Sequence, residues 1–463
     1  MKRAVTAILS ASVMLGSGLS SSTASGQEQT WLEDRRYREG IGIRFGNFEF
    51  HPGIGATFGY DSNYFHRAES DIGGSPVGSM RLRVSPSLSL ATLGKNRRGD
   101  GPPPSVGFRT ELLATYNEFF PVSGSDFDKE RLTEQRDIGG RFNLGLDILP
   151  GREWSATIDG SVARSIRPTQ SGSVVGSTTY NRWLPKAGAL LTWRPGSGLL
   201  DWSLGYEFGG RFFEDTALTG LDNQEHTVST RGRWRFYPRT ALMYDARIGF
   251  INYPTTGTGV TLKGGSTPVR TRLGLNGLIT PSFSVLALGG WGASFYDTEE
   301  DFDSFIGQLE LKWYLGNKPQ SNPLAISGAF SALSVGFERD FQDAYFGTFS
   351  ETNRGYLRFN YLFGGSFLLS MEGGGAAVVY PAQVTSADVS YSTPGGWTDA
   401  RVDANLFGEY RIKNYVGVNV EIGFDGYFSE TTVTYTDEAT STQFTDPIAY
   451  KQITALLGLR WFM

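Results

Sequence analysis

The chain has 463 residues, a formal net charge of -5 and no cysteine. The missing thiols exclude disulfides, thiolate metal sites and a lipid anchor on a processed cysteine, and the mild acidity argues against nucleic acid as a bulk partner. The 60 glycines and 14% aromatic residues stand beside only 39% hydrophobic residues, a balance that suits a lipid-facing sheet with aromatic girdles and a wet interior, while no apolar run approaches the roughly 20 residues of a membrane-spanning helix.

Residues 1–26 read as a signal peptide. Lys2 and Arg3 form a positive start, residues 4–19 are mostly apolar and small, and Ala24, Ser25 and Gly26 precede a cut before Gln27. Cleavage removes Lys2 and Arg3 from the 42 basic residues, leaving 40 against 47 acidic ones and a net charge of -7. Residues 27–47, with Trp31, Asp34, Arg35, Arg36 and Arg38, read as a polar periplasmic leader. From residue 48 to 463 a two-residue period takes over, the mark of strands whose side chains alternate between two faces.

The first strand puts Ile54, Ala56, Phe58 and Tyr60 on one face. In the second, Met80, Leu82, Val84, Pro86, Leu88 and Leu90 point one way, and Arg81, Arg83 and three serines the other. The third sets Val106, Phe108, Leu112 and Ala114 against Arg109 and Glu111, and the fourth Ile138, Phe142, Leu144, Leu146 and Ile148 against Arg141, Asn143 and Asp147. The period continues through 154–162, 183–193 and 202–212. The eighth strand sets Val228, Trp234 and Phe236 against Arg231, Arg233 and Arg235. Further strands follow at 242–250, 269–279, 283–295, 305–315, 331–341 (the least regular), 356–363, 367–379, 400–412, 416–424 and 449–463. The expectation is roughly 18 strands, within a range of 16–18, each near the 9–11 residues that cross a bilayer at a tilt.

Short turns at 150–151, 195–196, 238–239, 280–281, 364–365 and 413–414 alternate with long polar loops at 61–78, 121–130, 167–178, 254–267, 381–396 and 429–446. Such alternation separates periplasmic turns from extracellular loops, and two Pro-containing stretches, 94–104 and 316–327, are enlarged exceptions on the short side. The last strand alternates Ile453, Ala455, Leu457, Leu459 and Trp461 with smaller or polar residues and ends Trp461-Phe462-Met463. Outer-membrane barrels commonly end on an aromatic residue that the assembly machinery recognises; here it is displaced by one. The fold class expected is all-β: a transmembrane, antiparallel, up-and-down β-barrel in the cell outer membrane, with outer-membrane lipid and the barrel assembly machinery as partners. A soluble sandwich has no reason to keep the loop parity.

The segment GNFEFHPGIGATFGYDSNYF (46–65), followed by VSPSLSL (84–90), resembles the opening hairpin of a large family of outer-membrane β-barrel porins. Some barrels of this look are encoded with polysaccharide assembly systems. The resemblance therefore implies export of a polysaccharide with a periplasmic export protein as partner. A diffusion porin for small solutes, general or anion-preferring, is the alternative, and a closed barrel with a structural or adhesive role is a third. A loop folded into the lumen would favour the small-solute pore.

A barrel of this size is wide enough for water. Its expected lumen-lining residues are Arg81, Arg83, Arg109, Arg141, Arg231, Arg233, Arg235, Arg270, Arg272, Asp403, Glu409 and Glu421. The arginines concentrate on the eighth to tenth strands and the acids on the last three, so opposed walls of unlike charge would set a field across the pore. Guanidinium forks suit carboxylates and phosphates, and Phe213, Tyr296 and Tyr314 offer faces for sugars. Against this stands the plainer expectation that unlike charges on adjacent strands pair and only solvate the wall. An enzyme is not expected: His51, His66 and His226 lie in no nucleophile motif. No phosphate loop, metal-ligand spacing or cofactor motif is evident. The acidic stretch 297–303 has carboxylates suited to calcium, but reads more simply as a hydrated loop.

Overall fold

A computed structural model describes the chain from residue 42 onward, apart from 69–74, 94–103, 166–180, 197, 215–219, 221, 255–263, 298–299, 316–330, 344–347, 364–366, 382–388, 394, 414 and 438–441. The expected signal peptide, most of the expected leader and most of the two enlarged turns lie outside the described residues. The described chain is almost entirely strand. A three-residue strand, β1 (Ile43–Phe45), precedes β2 (Phe48–Asp61), β3 (Ser79–Thr92), β4 (Val106–Pro121), β5 (Asp137–Ile148), β6 (Trp154–Ser165) and β7 (Arg182–Trp193). Next come β8 (Leu200–Phe213), β9 (Asn223–Tyr237), β10 (Thr240–Asn252), β11 (Ser266–Thr280), β12 (Phe283–Tyr296), β13 (Phe302–Tyr314) and β14 (Ala332–Asp343). The chain closes with β15 (Phe349–Phe363), β16 (Phe367–Tyr380), β17 (Val389–Tyr391), β18 (Trp397–Lys413), β19 (Val416–Phe428), β20 (Thr432–Asp437), β21 (Thr442–Pro447) and β22 (Tyr450–Phe462).

Eighteen of these strands, all but β1, β17, β20 and β21, form one antiparallel sheet in which each pairs with the next. The ring closes where β2 meets β22, from Gly53↔Phe462 to Asp61↔Thr454. Closure removes the free edges that an open sheet cannot leave in lipid. Both termini of the ring lie at its short-turn end, where the Met463 N–H donates to the Pro52 carbonyl at 3.0 Å. β1 pairs with the foot of β2, Ile43↔Phe50 to Phe45↔Phe48, so the last residues of the expected leader extend the sheet.

The two faces obey the sequence period. Ile54, Phe58, Leu112, Phe142, Leu273 and Leu457 are exposed on the outer face, while their neighbours in sequence turn inward. An exterior this apolar is stable only against hydrocarbon, and the protein is a multi-pass β-barrel of the outer membrane. Strands of 12–17 residues exceed the 9–11 needed to cross, and the excess builds a rim at the long-loop end.

Two features of that rim do not arise from alternation. Residues 121–130, expected as a loop, lead into a nine-residue helix, α1 (Asp126–Glu134). Ser125 caps it, accepting from the Asp128 N–H at 3.2 Å, and Asp126 and Asp128 occupy the first turn, where carboxylates complement the helix dipole. Leu132 packs into a small core with Tyr64, Val77 and Phe119, and Arg67 grips Asp128 at 2.7 Å. The helix is thereby tied to the first long loop. The second feature is a three-stranded sheet, β17–β20–β21, made from the last two long loops.

Candidate functional site: the inner wall of the barrel

The inward positions carry side-chain networks that register brings together. On β9 to β11, Asp245 lies opposite Arg231 on one side and Arg272 on the other. Its carboxylate is 3.0 Å from Arg247 and 3.8 Å from Arg272. Nearer the short-turn end Asp201 is shared by three guanidiniums: it pairs closely with Arg233 and lies 3.6 Å from Arg235 and 3.3 Å from Arg194. Six arginines (Arg231, Arg233, Arg235, Arg247, Arg270 and Arg272) thus stand against Asp201, Asp245 and, in phase on β9, Glu225, with Asp340 of β14 beside Arg270, and this wall is basic.

Nine places around the ring of eighteen from β8, β9, β10 and β11 lie β18, β19, β22 and β2, diametrically opposite. Here acids predominate. Asp403 pairs with Arg354 at 2.7 Å, and Arg354 also reaches Glu372 at 3.2 Å. Asp425 pairs with Arg401 at 3.2 Å. Glu421 is held by Arg83 at 3.1 Å, and Arg83 also donates to the Thr57 hydroxyl. Glu409, fully buried, sits between Arg411 at 3.2 Å and Arg460 at 2.5 Å. Asp399 accepts from Tyr427 at 2.5 Å and from the Trp397 indole at 2.8 Å. Between the walls, Arg81 donates to Asn117 at 2.8 Å. Glu111 accepts from Asn143 at 3.2 Å, beside Arg109 and Arg141 on the same pair of strands.

The expected arginine ladder is therefore not a row of free cations. Arg233 and Arg235 lean on Asp201, Arg272 approaches Asp245, and Arg270 is drawn 3.1 Å from Asp340 on β14. Cross-strand pairing accounts for most inward charges, and the unlike walls persist as an excess rather than as bare ions. Sequence parity alone would have found Asp201, which is in phase with Ser203 and Glu207; Arg354 and Tyr356 stand in phase with Arg358 in the same way. The expected sugar-stacking faces differ: Tyr314 is buried with its hydroxyl 3.2 Å from Ser284, and Phe213 is buried too. In the acidic stretch, Asp301 accepts from the Tyr296 N–H at 3.0 Å and Asp303 from the Trp291 indole at 3.2 Å, so these carboxylates hold their hairpin. Each histidine has partners: Glu49 and the Met463 carbonyl for His51, Gln452 for His66, Tyr206 for His226.

Two segments turn inward at the long-loop end. The first loop bends back over β22: Asn63 donates to the Lys451 carbonyl at 3.0 Å, and His66 meets Gln452 at 2.8 Å while stacking on Tyr450. Gln452 in turn donates to Asp61. On the other side, the top of the β14–β15 hairpin leans in, with Phe341 lying over Gly292 of β12 and under the guanidinium of Arg270, 4.1 Å from its ring centre.

No protein-family model and no curated protein matches the sequence. Solved structures similar in fold include the outer membrane protein OpdK of Pseudomonas aeruginosa, 9% identical over 89% of this chain and 98% of that one with a TM-score of 0.44. OpdQ of the same organism is 10% identical over 90% and 99% with a TM-score of 0.44. The FrpB iron transporter of Neisseria meningitidis (F3-3 variant) is 9% identical over 93% and 82% with a TM-score of 0.41.

Proposed function

We propose that the protein is an outer-membrane diffusion porin for small solutes, whose path runs between the basic wall on β9–β11 and the acidic wall on β18–β2. The observation that carries this reading is the pair of inward-turned segments, the first loop over β22 and the β14–β15 hairpin over β12. Segments folded into a lumen narrow it, and a narrowed lumen with opposed charge selects among small polar solutes rather than threading a polymer. The polysaccharide-export reading rests on the resemblance of residues 46–65 and 84–90 and on a wide lumen of mixed charge, and a periplasmic export partner stands or falls with it. The C-terminal strand serves assembly in this reading, with Trp461 outward and Phe462 held inward between Arg411 and Arg460.

The test is conductance of the full-length protein in planar bilayers. Stepwise openings with a reversal potential displaced in a salt gradient are the expected result. Insertion of heat-modifiable, folded protein without any conductance would overturn the reading.

A further inference from the structure

The wall of the barrel has a break on its long-loop half. β13 runs from Phe302, but its ladder with β14 covers only Gly307↔Arg339 to Tyr314↔Ala332. Above that point β13 stays paired with β12 up to Phe302↔Ser294, while β14 stays paired with β15 up to Asp343↔Phe349. Residues 302–306 and 340–343 thus face one another across a seam without a backbone ladder. The flanking outward residues, Phe305 and Phe337, are exposed and apolar, and the Trp291–Asp303 contact lies on the same outer wall at the level of the seam. A sheet edge left open in hydrocarbon costs several kcal/mol for each unsatisfied backbone group.

Side chains take the place of the missing ladder. Arg339 donates to Ser304 at 3.0 Å and to Glu351 at 2.8 Å, and Ser304 donates to Glu351 at 2.8 Å, a triad across the seam. On the lumen side Arg270 reaches past β12 and β13 to donate to the Phe341 carbonyl at 2.7 Å and to Asp340 at 3.1 Å. Phe302 packs against both Phe341 and Phe349. Gly292 leaves the space for Phe341, since a Cβ there would sit 2.5 Å from its ring. Two latches, one polar and one aromatic, hold together a seam that an ordinary barrel would close with backbone bonds.

We propose that this seam is a lateral portal between lumen and bilayer for an amphiphile with an anionic head and an acyl chain. The guanidiniums of Arg270 and Arg339 match a carboxylate or phosphate, and Phe302, Phe341 and Phe349 offer a surface for the chain. An anionic head exchanges for Asp340 or Glu351 on these arginines, which frees the latches as the ligand enters. The portal requires the membrane barrel but not the small-solute reading: a barrel that conducts nothing still shows it.

The test uses full-length protein in phosphatidylethanolamine–phosphatidylglycerol vesicles, photolabelled either with palmitic acid or with phosphatidylglycerol, each carrying a diazirine on its acyl chain. Adducts on Phe302, Phe341 or Ile306, besides those on the lipid-facing Phe305 and Phe337, are the expected result with palmitic acid. The same adducts with the phospholipid make bilayer lipid the ligand's source, and their restriction to palmitic acid makes it a free amphiphile. Adducts on Phe305 and Phe337 alone, with both probes, overturn the portal. The chain has no cysteine, so a Ser304→Cys/Gln342→Cys pair, opposite one another where the β13–β14 register is continued, can be bridged by a bis-maleimide after folding and compared with itself unbridged. Bridging should lower labelling of Phe341 about tenfold. Undiminished labelling would mean entry through the mouth of the barrel and would sink the proposal.

Discussion

Leu457 is 60% exposed on a strand whose next residue inward, Leu456, is 6% exposed. That contrast, repeated around the barrel, is what sets it in a membrane, and it makes single outward positions sensitive to charge. Leu457→Arg should destabilise the folded barrel by about 2–4 kcal/mol if the position sits near mid-bilayer, and by less toward either interface. Loss of heat-modifiable migration and a lower urea midpoint are the readouts. On the inner wall the sensitive residue is Asp201, the one carboxylate shared by Arg194, Arg233 and Arg235. Asp201→Asn should leave the barrel assembled and move the reversal potential toward anions. Replacing Arg231, Arg233 and Arg235 together by Ser should move it toward cations. Because guanidinium stays charged at any working pH, that second shift should be the same at about pH 6 and about pH 8. An unmoved potential in both variants would place these strands away from the ion path. The shared phase of these arginines follows from strand parity, which is a local property. Their partners do not: Asp245 lies between Arg231 and Arg272 only because two hairpins set that register.

Among the elements, α1 shows what a two-residue period hides. Nine residues give a helix too little length to display its own period, and its stability comes from the Ser125 cap, the Leu132 contact and the Arg67–Asp128 pair. Burial pushes the Asp128 carboxyl up, but the Ser125 hydroxyl and the Arg67 guanidinium outweigh it and leave the group below its ordinary 3.8. A carboxylate depressed in the folded state contributes stability that is present above its unfolded pKa and lost as pH falls through the folded one. Hydrogen exchange of residues 126–134 should therefore be slow and pH-insensitive in its protection at neutral pH, and protection should drop below about pH 4. Asp128→Asn should weaken protection at neutral pH and remove the acid-dependent drop. An unchanged acid profile in the variant would assign the drop to another group. The β14–β15 hairpin offers a second check. Gly292→Leu would displace Phe341 and lift the hairpin from the lumen, so conductance should rise; an equal or smaller conductance would mean that the hairpin does not narrow the path. Residues 331–341 stand out in the sequence as the least regular strand, and the structure supplies a physical reason. Arg339 falls where Val335 and Phe337 predict an apolar residue, and there the ladder to β13 ends.

At the scale of the whole molecule, the barrel was legible because its rules are local and repeated. Alternation marks each strand, short and long connections keep their parity, and an even count brings both ends of the ring to one side. The period predicts roughly eighteen strands, and eighteen close the ring. Contacts between distant segments were not legible: the β17–β20–β21 sheet joins two separate loops, and the two walls of unlike charge face each other only after closure. The segments turned into the lumen belong to this class as well, and the proposed function rests on them. The most direct test is swelling of liposomes that contain the purified full-length protein, in isosmotic sugars of increasing size. Rapid swelling in mono- and disaccharides with none in dextran is the expected result. Equal permeation of dextran would contradict a narrowed small-solute path, and no swelling in any sugar would contradict a channel altogether.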